Sequence, residues 1–296
     1  TKLFRFMMFW RCVGAEFVAM LLFVLLSLGS TINWGAVDED PRPSDLVLIS
    51  LCFGLSIATM VQCFGHISGA HINPAVTAAM VITRKLNMAK AIFYLLAQCV
   101  GAIVGAAILY SITPASVRGG MGVSTINKNI SVGNAMVVEL FITFQLVFTV
   151  FATCDHKRND LKGSSALAIG LSVCIGHLFA IPYTGASMNP ARTFGPAMVT
   201  WSWEHHWVTT LLLYFIISIY CILAYGYGKT KLLDPYSKVS LHFYYTTGNH
   251  IVLFSQLTLC VCRILDGKLS FNVIRQLLNS YPISTFRLVS IVSLLS

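Results

Sequence analysis

Charged side chains are scarce in this sequence. Asp, Glu, Lys and Arg make up 10% of its 296 residues, whereas a soluble domain carries about 25%. Hydrophobic residues account for 56%, and the mean hydropathy is +0.74. This composition excludes an ordinary soluble domain and predicts a protein that crosses a membrane several times.

Patterns typical of enzymes and metal proteins are also missing. No nucleophile–base pair, metal-ligand cluster or phosphate-binding glycine loop is present, so we expect no enzymatic activity, no metal and no cofactor. The nine cysteines are scattered without pairing pattern and are interpreted as small buried residues or free thiols. No signal peptide is evident, and the chain starts with Thr1, which leads us to expect that an N-terminal piece is absent.

Long apolar runs, by contrast, are abundant. A membrane-spanning helix needs about 20 largely apolar residues. Six segments meet this requirement: 12–32, 46–66, 88–110, 135–153, 164–182 and 208–228. The third of these carries Gly101 and Gly105, a spacing typical of close helix packing, whereas the sixth has the bulky residues Tyr214, Phe215 and Ile216 in its place.

The net charge of +9 raises the question of a nucleic-acid partner, but the basic residues lie in short loops rather than on one face. If both termini are cytoplasmic, twelve of the 20 Lys and Arg residues fall on the inner side, in segments 1–11, 84–90, 157–162 and 229–238. This asymmetry obeys the positive-inside rule. We therefore predict a multi-pass protein of the lipid bilayer with both termini inside and no nucleic-acid partner.

A ten-residue phrase occurs twice, as SGAHINPAVT from Ser68 and as TGASMNPART from Thr184. Asn is a strong helix N-cap and Pro suits the first helical position, so each copy predicts a helix start. The segments that follow, 73–83 and 189–199, are too short to span a bilayer. The sequence-predicted motif residues are Asn73, Pro74, Ala75, Asn189, Pro190 and Ala191.

A helix that starts inside a membrane exposes N–H groups that only protein or a water-filled cavity can satisfy. Each half of the chain holds three spans and one half-helix. Because three is odd, the halves form an inverted repeat, and the positive ends of the half-helices face one another near the midplane. The pattern therefore predicts a pore.

Two carboxylates lie inside predicted spans, Glu16 in the first and Glu139 in the fourth. Such a group is costly in a membrane unless it faces protein or water. A proton relay and a structural hydrogen-bond acceptor are both possible. Their matching positions in the two halves favour structural acceptors that hold the re-entrant loops.

The paired motifs, six spans and inverted repeat resemble the aquaporin (major intrinsic protein) family, and within it the water-selective members, over about residues 11–207. The resemblance implies an all-α membrane fold with six transmembrane helices and two re-entrant half-helices. It also implies a plasma-membrane homotetramer, with larger arrays in some relatives. Asn73 and Asn189 would then offer amide donors to passing water.

The family's narrow outer constriction corresponds to Phe53, His177, Ala186 and Arg192. Thr193 follows Arg192, where glycerol-conducting relatives typically have Asp, and His177 is retained. The resemblance therefore implies a passive water-selective channel that excludes protons and ions. A glycerol-permeable channel is the alternative, and a structural junction or array-forming protein with a closed pore is a further one.

Three further predictions concern the periphery. His71 would lie at the cytoplasmic mouth, as a pH-sensitive gate or, as we favour, a permanent lining residue. Asn129 begins the sequon Asn-Ile-Ser and is a candidate glycosylation site. We divide the chain into a channel domain, 1–228, with repeats at about 11–110 and 132–228, and an atypical, poorly ordered C-terminal region, 229–296.

Overall fold

The structure is a computed structural model that describes residues 2–40, 42–154, 163 and 165–204. All of them belong to one compact unit. The sixth predicted span, 208–228, and the C-terminal region, 229–296, lie outside the described residues, so the proposed division into domains stays a prediction. In the described part, seven α-helices are found: α1 Lys2–Gly29, α2 Leu46–Ser68, α3 Pro74–Ile82, α4 Met88–Ile112, α5 Val132–Thr153, α6 Ser165–Thr184 and α7 Pro190–Thr200.

Five of these helices are long and apolar enough to cross a membrane: α1, α2, α4, α5 and α6. They coincide with the first five predicted spans, with one notable difference at the start. Helix α1 begins at Lys2 rather than near residue 12. No Gly or Pro interrupts residues 2–13, so the helix continues past the apolar span for about 15 Å.

The two short helices are α3, with nine residues, and α7, with eleven. At 1.5 Å per residue they are about 14 and 17 Å long, whereas the hydrocarbon core of a bilayer is about 30 Å thick. Both start at the predicted prolines, Pro74 and Pro190. They are half-helices that contact each other as well as the long helices.

Small residues allow the long helices to pack closely. Helix α2 packs on α6 through Gly54 and Gly170, and α4 packs on α1. A Cβ atom added to Gly101 or Gly105 would lie 2.5 Å from a carbonyl oxygen of α1. The glycine pair that the sequence marked as a close-packing face therefore holds α4 against α1.

Candidate functional site

The two motif asparagines lie at the centre of the described fold, and each does two structural tasks. The Oδ1 atom of Asn73 accepts a hydrogen bond from the Ala75 N–H at 2.8 Å, and that of Asn189 accepts from the Ala191 and Arg192 N–H groups at 3.1 and 3.2 Å. These are helix N-caps, as the sequence predicted. Both side chains are buried.

The amide nitrogens of the same asparagines tie the two halves together. Asn73 Nδ2 donates to the Met188 carbonyl at 2.9 Å, and Asn189 Nδ2 donates to the Ile72 carbonyl at 2.7 Å. Each motif thus bonds the backbone just before the other motif. Since an amide nitrogen carries two hydrogens, one hydrogen of each asparagine is left over from this exchange.

The loops that lead into the half-helices have an unusual backbone, repeated in both halves. Ala70 and Ile72 have φ angles of 45° and 50°, and their counterparts Ala186 and Met188 have 51° and 50°. Non-glycine residues in this left-handed region each cost about 1–3 kcal/mol unless neighbouring groups hold them. The two loops therefore need firm anchors.

In the first half the anchor is Glu16 of α1, which is fully buried. Its carboxylate accepts hydrogen bonds from the backbone N–H groups of His71 at 2.9 Å and Ile72 at 2.8 Å. The Ser68 hydroxyl and the Gln98 amide complete the set at 2.6 and 2.9 Å.

In the second half Glu139 of α5 has the equivalent place. It accepts from the N–H groups of Ser187 at 2.9 Å and Met188 at 3.1 Å, and from the Thr184 hydroxyl. Both carboxylates are thus engaged by loop donors, which supports the structural interpretation over a proton relay.

Three predicted constriction residues are brought together on one side of the motifs. The rings of Phe53 and His177 have centroids 4.1 Å apart, and the Arg192 guanidinium carbon lies 4.9 Å from the Phe53 ring centroid. All three side chains are buried. Ala186, the fourth predicted member, is also buried and follows Gly185 in the second loop.

Two polar atoms in this group have no hydrogen-bond partner in the described part of the chain: His177 Nε2 and Arg192 Nε. His177 Nδ1 lies 2.9 Å from the Val173 carbonyl, which can only accept, so Nδ1 carries the proton and Nε2 is a free acceptor. Buried polar atoms without a partner are rare and require explanation. His177 Nε2 can accept and Arg192 Nε can donate, so together they match a small polar molecule that both donates and accepts.

The loop between α4 and α5 fixes the arginine. Arg192 Nη1 donates to the Gly122 carbonyl at 2.7 Å and to the Ser124 hydroxyl at 3.0 Å. Sequence reasoning did not identify these partners, because nothing in their local pattern indicates a contact with a residue so distant in the chain.

A cavity of about 490 Å³ opens on the other side of the motifs. Its lining includes Asn73, His71 and His66, together with apolar residues of α2, α5 and α6. His71 is one of these lining residues, and its Nδ1 atom is 3.1 Å from the Thr77 hydroxyl oxygen; its place at a cytoplasmic mouth stays a prediction.

Asn129 is exposed in the loop before α5. Its sequon partner Ser131 caps α5 by accepting from the Asn134 N–H at 3.1 Å. Glycosylation at Asn129 stays a prediction.

The sequence reasoning also missed Gln98 and Thr77, which are fully buried beside Glu16. A signal was available for both. Gln98 is a polar residue inside an apolar span, which usually marks a functional or structural contact. Thr77 is the last residue of the first repeated phrase and has Thr193 as its counterpart.

Comparison with known proteins gives consistent matches. Aquaporin-4 from Bos taurus and from Homo sapiens are each 70% identical over 200 residues, covering 68% of this chain and 62% of the relative. The lens fiber major intrinsic protein from Bos taurus is 48% identical over 200 residues, covering 68% of this chain and 74% of the relative. The chain thus spans less than two thirds of the length of the Aquaporin-4 relatives, in agreement with the predicted resemblance over about residues 11–207.

A solved structure, the X-ray structure of the aquaglyceroporin from Plasmodium falciparum, superposes with a TM-score of 0.64 at 21% identity, covering 78% of this chain and 99% of that one. At this identity the likeness supports the fold alone. The family model described as Major intrinsic protein matches residues 4–225, well over half of the sequence. Because this family model matches most of the chain and the half-helices are opposed as predicted, the chain belongs to the major intrinsic protein family, and the predicted aquaporin fold is confirmed.

Proposed function

We propose that the protein is a passive, water-selective channel driven by osmotic gradients. The observation that carries this proposal is the pair of opposed asparagines, each with one amide hydrogen bound to the other loop. The second hydrogen of each amide is then available to a permeating molecule. A water oxygen can accept from it while its own hydrogens point along the file.

The groups at the constriction favour water over larger solutes. His177 Nε2 can accept and Arg192 Nε can donate, which matches the hydrogen-bonding capacity of a water molecule. Phe53 closes the third side with a ring only 4.1 Å from the His177 ring, between centroids. A glycerol-permeable pore, the alternative, would need a wider opening.

Charge exclusion follows from the same elements. The N-terminal ends of α3 and α7 each carry roughly half a positive charge, and Arg192 adds a full one in a buried place. Bringing a positive ion to about 4 Å from a full positive charge costs on the order of 4 kcal/mol at an effective dielectric constant of about 20. A hydronium ion or a metal cation would therefore be rejected, and the channel has no need of a cofactor or metal.

The assembly and location follow the family resemblance. We propose a homotetramer in the plasma membrane, with both termini cytoplasmic and with Asn129 on the outer side as a glycosylation site. This orientation assigns twelve Lys and Arg residues to the inner side, in segments 1–11, 84–90, 157–162 and 229–238, and four to the outer side, as the positive-inside rule requires.

Osmotic shrinkage of proteoliposomes, followed by stopped-flow light scattering, tests the proposal. Vesicles with the full chain should shrink faster than empty vesicles under a sucrose gradient, and should take up glycerol no faster than empty ones. A second version of the chain, in which the predicted last span is replaced by one typical of the family, controls for the effect of the divergent C-terminal part. Rapid glycerol uptake would favour the glycerol-permeable alternative, and water flux equal to that of empty vesicles in both versions would favour a structural protein with a closed pore.

A further inference from the structure

A buried chain of hydrogen bonds connects Glu16 to the pore mouth. Gln98 Nε2 lies 2.9 Å from Glu16 Oε2 and 3.0 Å from the Thr77 hydroxyl oxygen. The Thr77 hydroxyl in turn lies 3.1 Å from His71 Nδ1. Glu16, Gln98 and Thr77 are all fully buried, while His71 lines the cavity of about 490 Å³.

The direction of each bond in this chain can be worked out from the donors and acceptors. Both Glu16 oxygens accept hydrogen bonds from backbone N–H groups, so the Gln98 group that faces Oε2 is the donating NH₂ rather than the amide oxygen. The second hydrogen of the same NH₂ is then directed at the Thr77 oxygen. Thr77 thus accepts from Gln98, and its own O–H hydrogen is free to point at His71 Nδ1.

A neutral imidazole has one nitrogen that donates and one that accepts. A bond in which Thr77 donates to Nδ1 places the proton of His71 on Nε2. We infer that Gln98 and Thr77 are positioning residues that hold His71 in its Nε2–H tautomer, so that the ring offers a hydrogen-bond donor to the cavity. The relevance to permeation rests on the proposed function, but the tautomer itself does not.

The second half of the molecule places a hydroxyl pair at the same positions. There Thr193 contacts Ser187, the counterpart of His71, and Ser124 lies 3.5 Å from Thr193. A serine hydroxyl can rotate and has no fixed tautomer, so this half needs no directed donor chain. At the outer constriction His177 has the opposite arrangement from His71, with the proton on Nδ1 and a free acceptor at Nε2.

The inference is tested by solid-state NMR on ¹⁵N-histidine-labelled full-length protein in lipid at about pH 8, where an unperturbed imidazole is neutral. The His71 signal is assigned by its loss in His71→Gln. We expect the proton on Nε2 in the unmodified chain. In Thr77→Val, and in Gln98→Met, the Nδ1–H form should become detectable, with the tautomer ratio shifted by roughly twofold to tenfold, as the loss of one hydrogen bond implies.

Two controls separate positioning from general disturbance of the fold. Thr77→Ser keeps the hydroxyl and should retain the Nε2–H form. Thr59→Val makes the same substitution as Thr77→Val on an exposed part of α2, where the hydroxyl bonds only the Leu55 carbonyl in its own helix, and should leave the His71 signal unchanged.

A proton on Nδ1 of His71 in the unmodified chain would overturn the inference. So would identical His71 spectra for Thr77→Val, Gln98→Met and Thr59→Val. A chain that conducts no water and yet carries the proton on Nε2 of His71 would overturn the proposed function and leave this inference standing.

Discussion

Replacement of Glu139 by Gln should destabilise the second re-entrant loop. One oxygen of the Glu139 carboxylate accepts hydrogen bonds from the Thr184 hydroxyl and the Ser187 N–H. The other oxygen accepts from the Met188 N–H. An amide can reproduce the first oxygen, but its NH₂ group then faces the Met188 N–H, and two donors cannot bond. The left-handed conformation of Met188, with φ of 50°, loses the contact that holds it.

The size of the destabilisation follows from the single hydrogen bond that is lost. One buried N–H without a partner costs about 1–3 kcal/mol, and for a domain of 150–250 residues each kcal/mol lowers the melting temperature by roughly 2–4 °C. Glu139→Gln should therefore lower the Tm by about 2–12 °C. Water flux per channel should also fall, because the Met188 carbonyl orients the Asn73 amide at 2.9 Å.

The assay is thermal unfolding of the detergent-purified protein, with stopped-flow shrinkage of proteoliposomes at equal protein content. Glu39→Gln is the matched control, since it makes the same change on an exposed loop and should leave the Tm nearly unchanged. If Glu139→Gln and Glu39→Gln melted at the same temperature, the carboxylate would not be holding the loop and the reasoning would be wrong.

Three further predictions concern the constriction. His177→Gly combined with Phe53→Ala should admit glycerol, because it removes both rings from the aperture; stopped-flow glycerol uptake no faster than in the unmodified channel would contradict the assignment. Ala186→Cys should make water flux sensitive to an impermeant mercurial added outside, whereas strong inhibition of the unmodified protein would show that Ala186 is misplaced. Arg192→Val should lower the barrier to proton passage, which is several kcal/mol, and each 1.4 kcal/mol or so corresponds to a tenfold change in rate. A proton leak should then be visible with a pH-sensitive dye enclosed in the vesicles; an equal leak in the unmodified channel would refute the electrostatic account.

Local sequence alone determined where the helices of the described part lie. Apolar length marked the five long helices of the described part, because a helix in lipid must satisfy its backbone internally over about 20 residues. The Asn-Pro pairs fixed the starts of α3 and α7, because cap and first-turn preferences depend on adjacent residues only. The start of α1 was misjudged, since hydropathy reports the apolar span and not the helical residues that extend beyond it.

Only the tertiary structure decided which side chains meet. Glu16 and Glu139 were visible as polar residues in apolar spans, but their partners at His71, Ile72, Ser187 and Met188 lie 48 to 56 residues away. The bond between Asn73 and Met188 crosses 115 residues. Such contacts depend on how helices cross at small residues such as Gly54, and no local preference encodes that geometry. The sequence therefore predicted a pore, and only the fold supplied the hydrogen bonds that shape it.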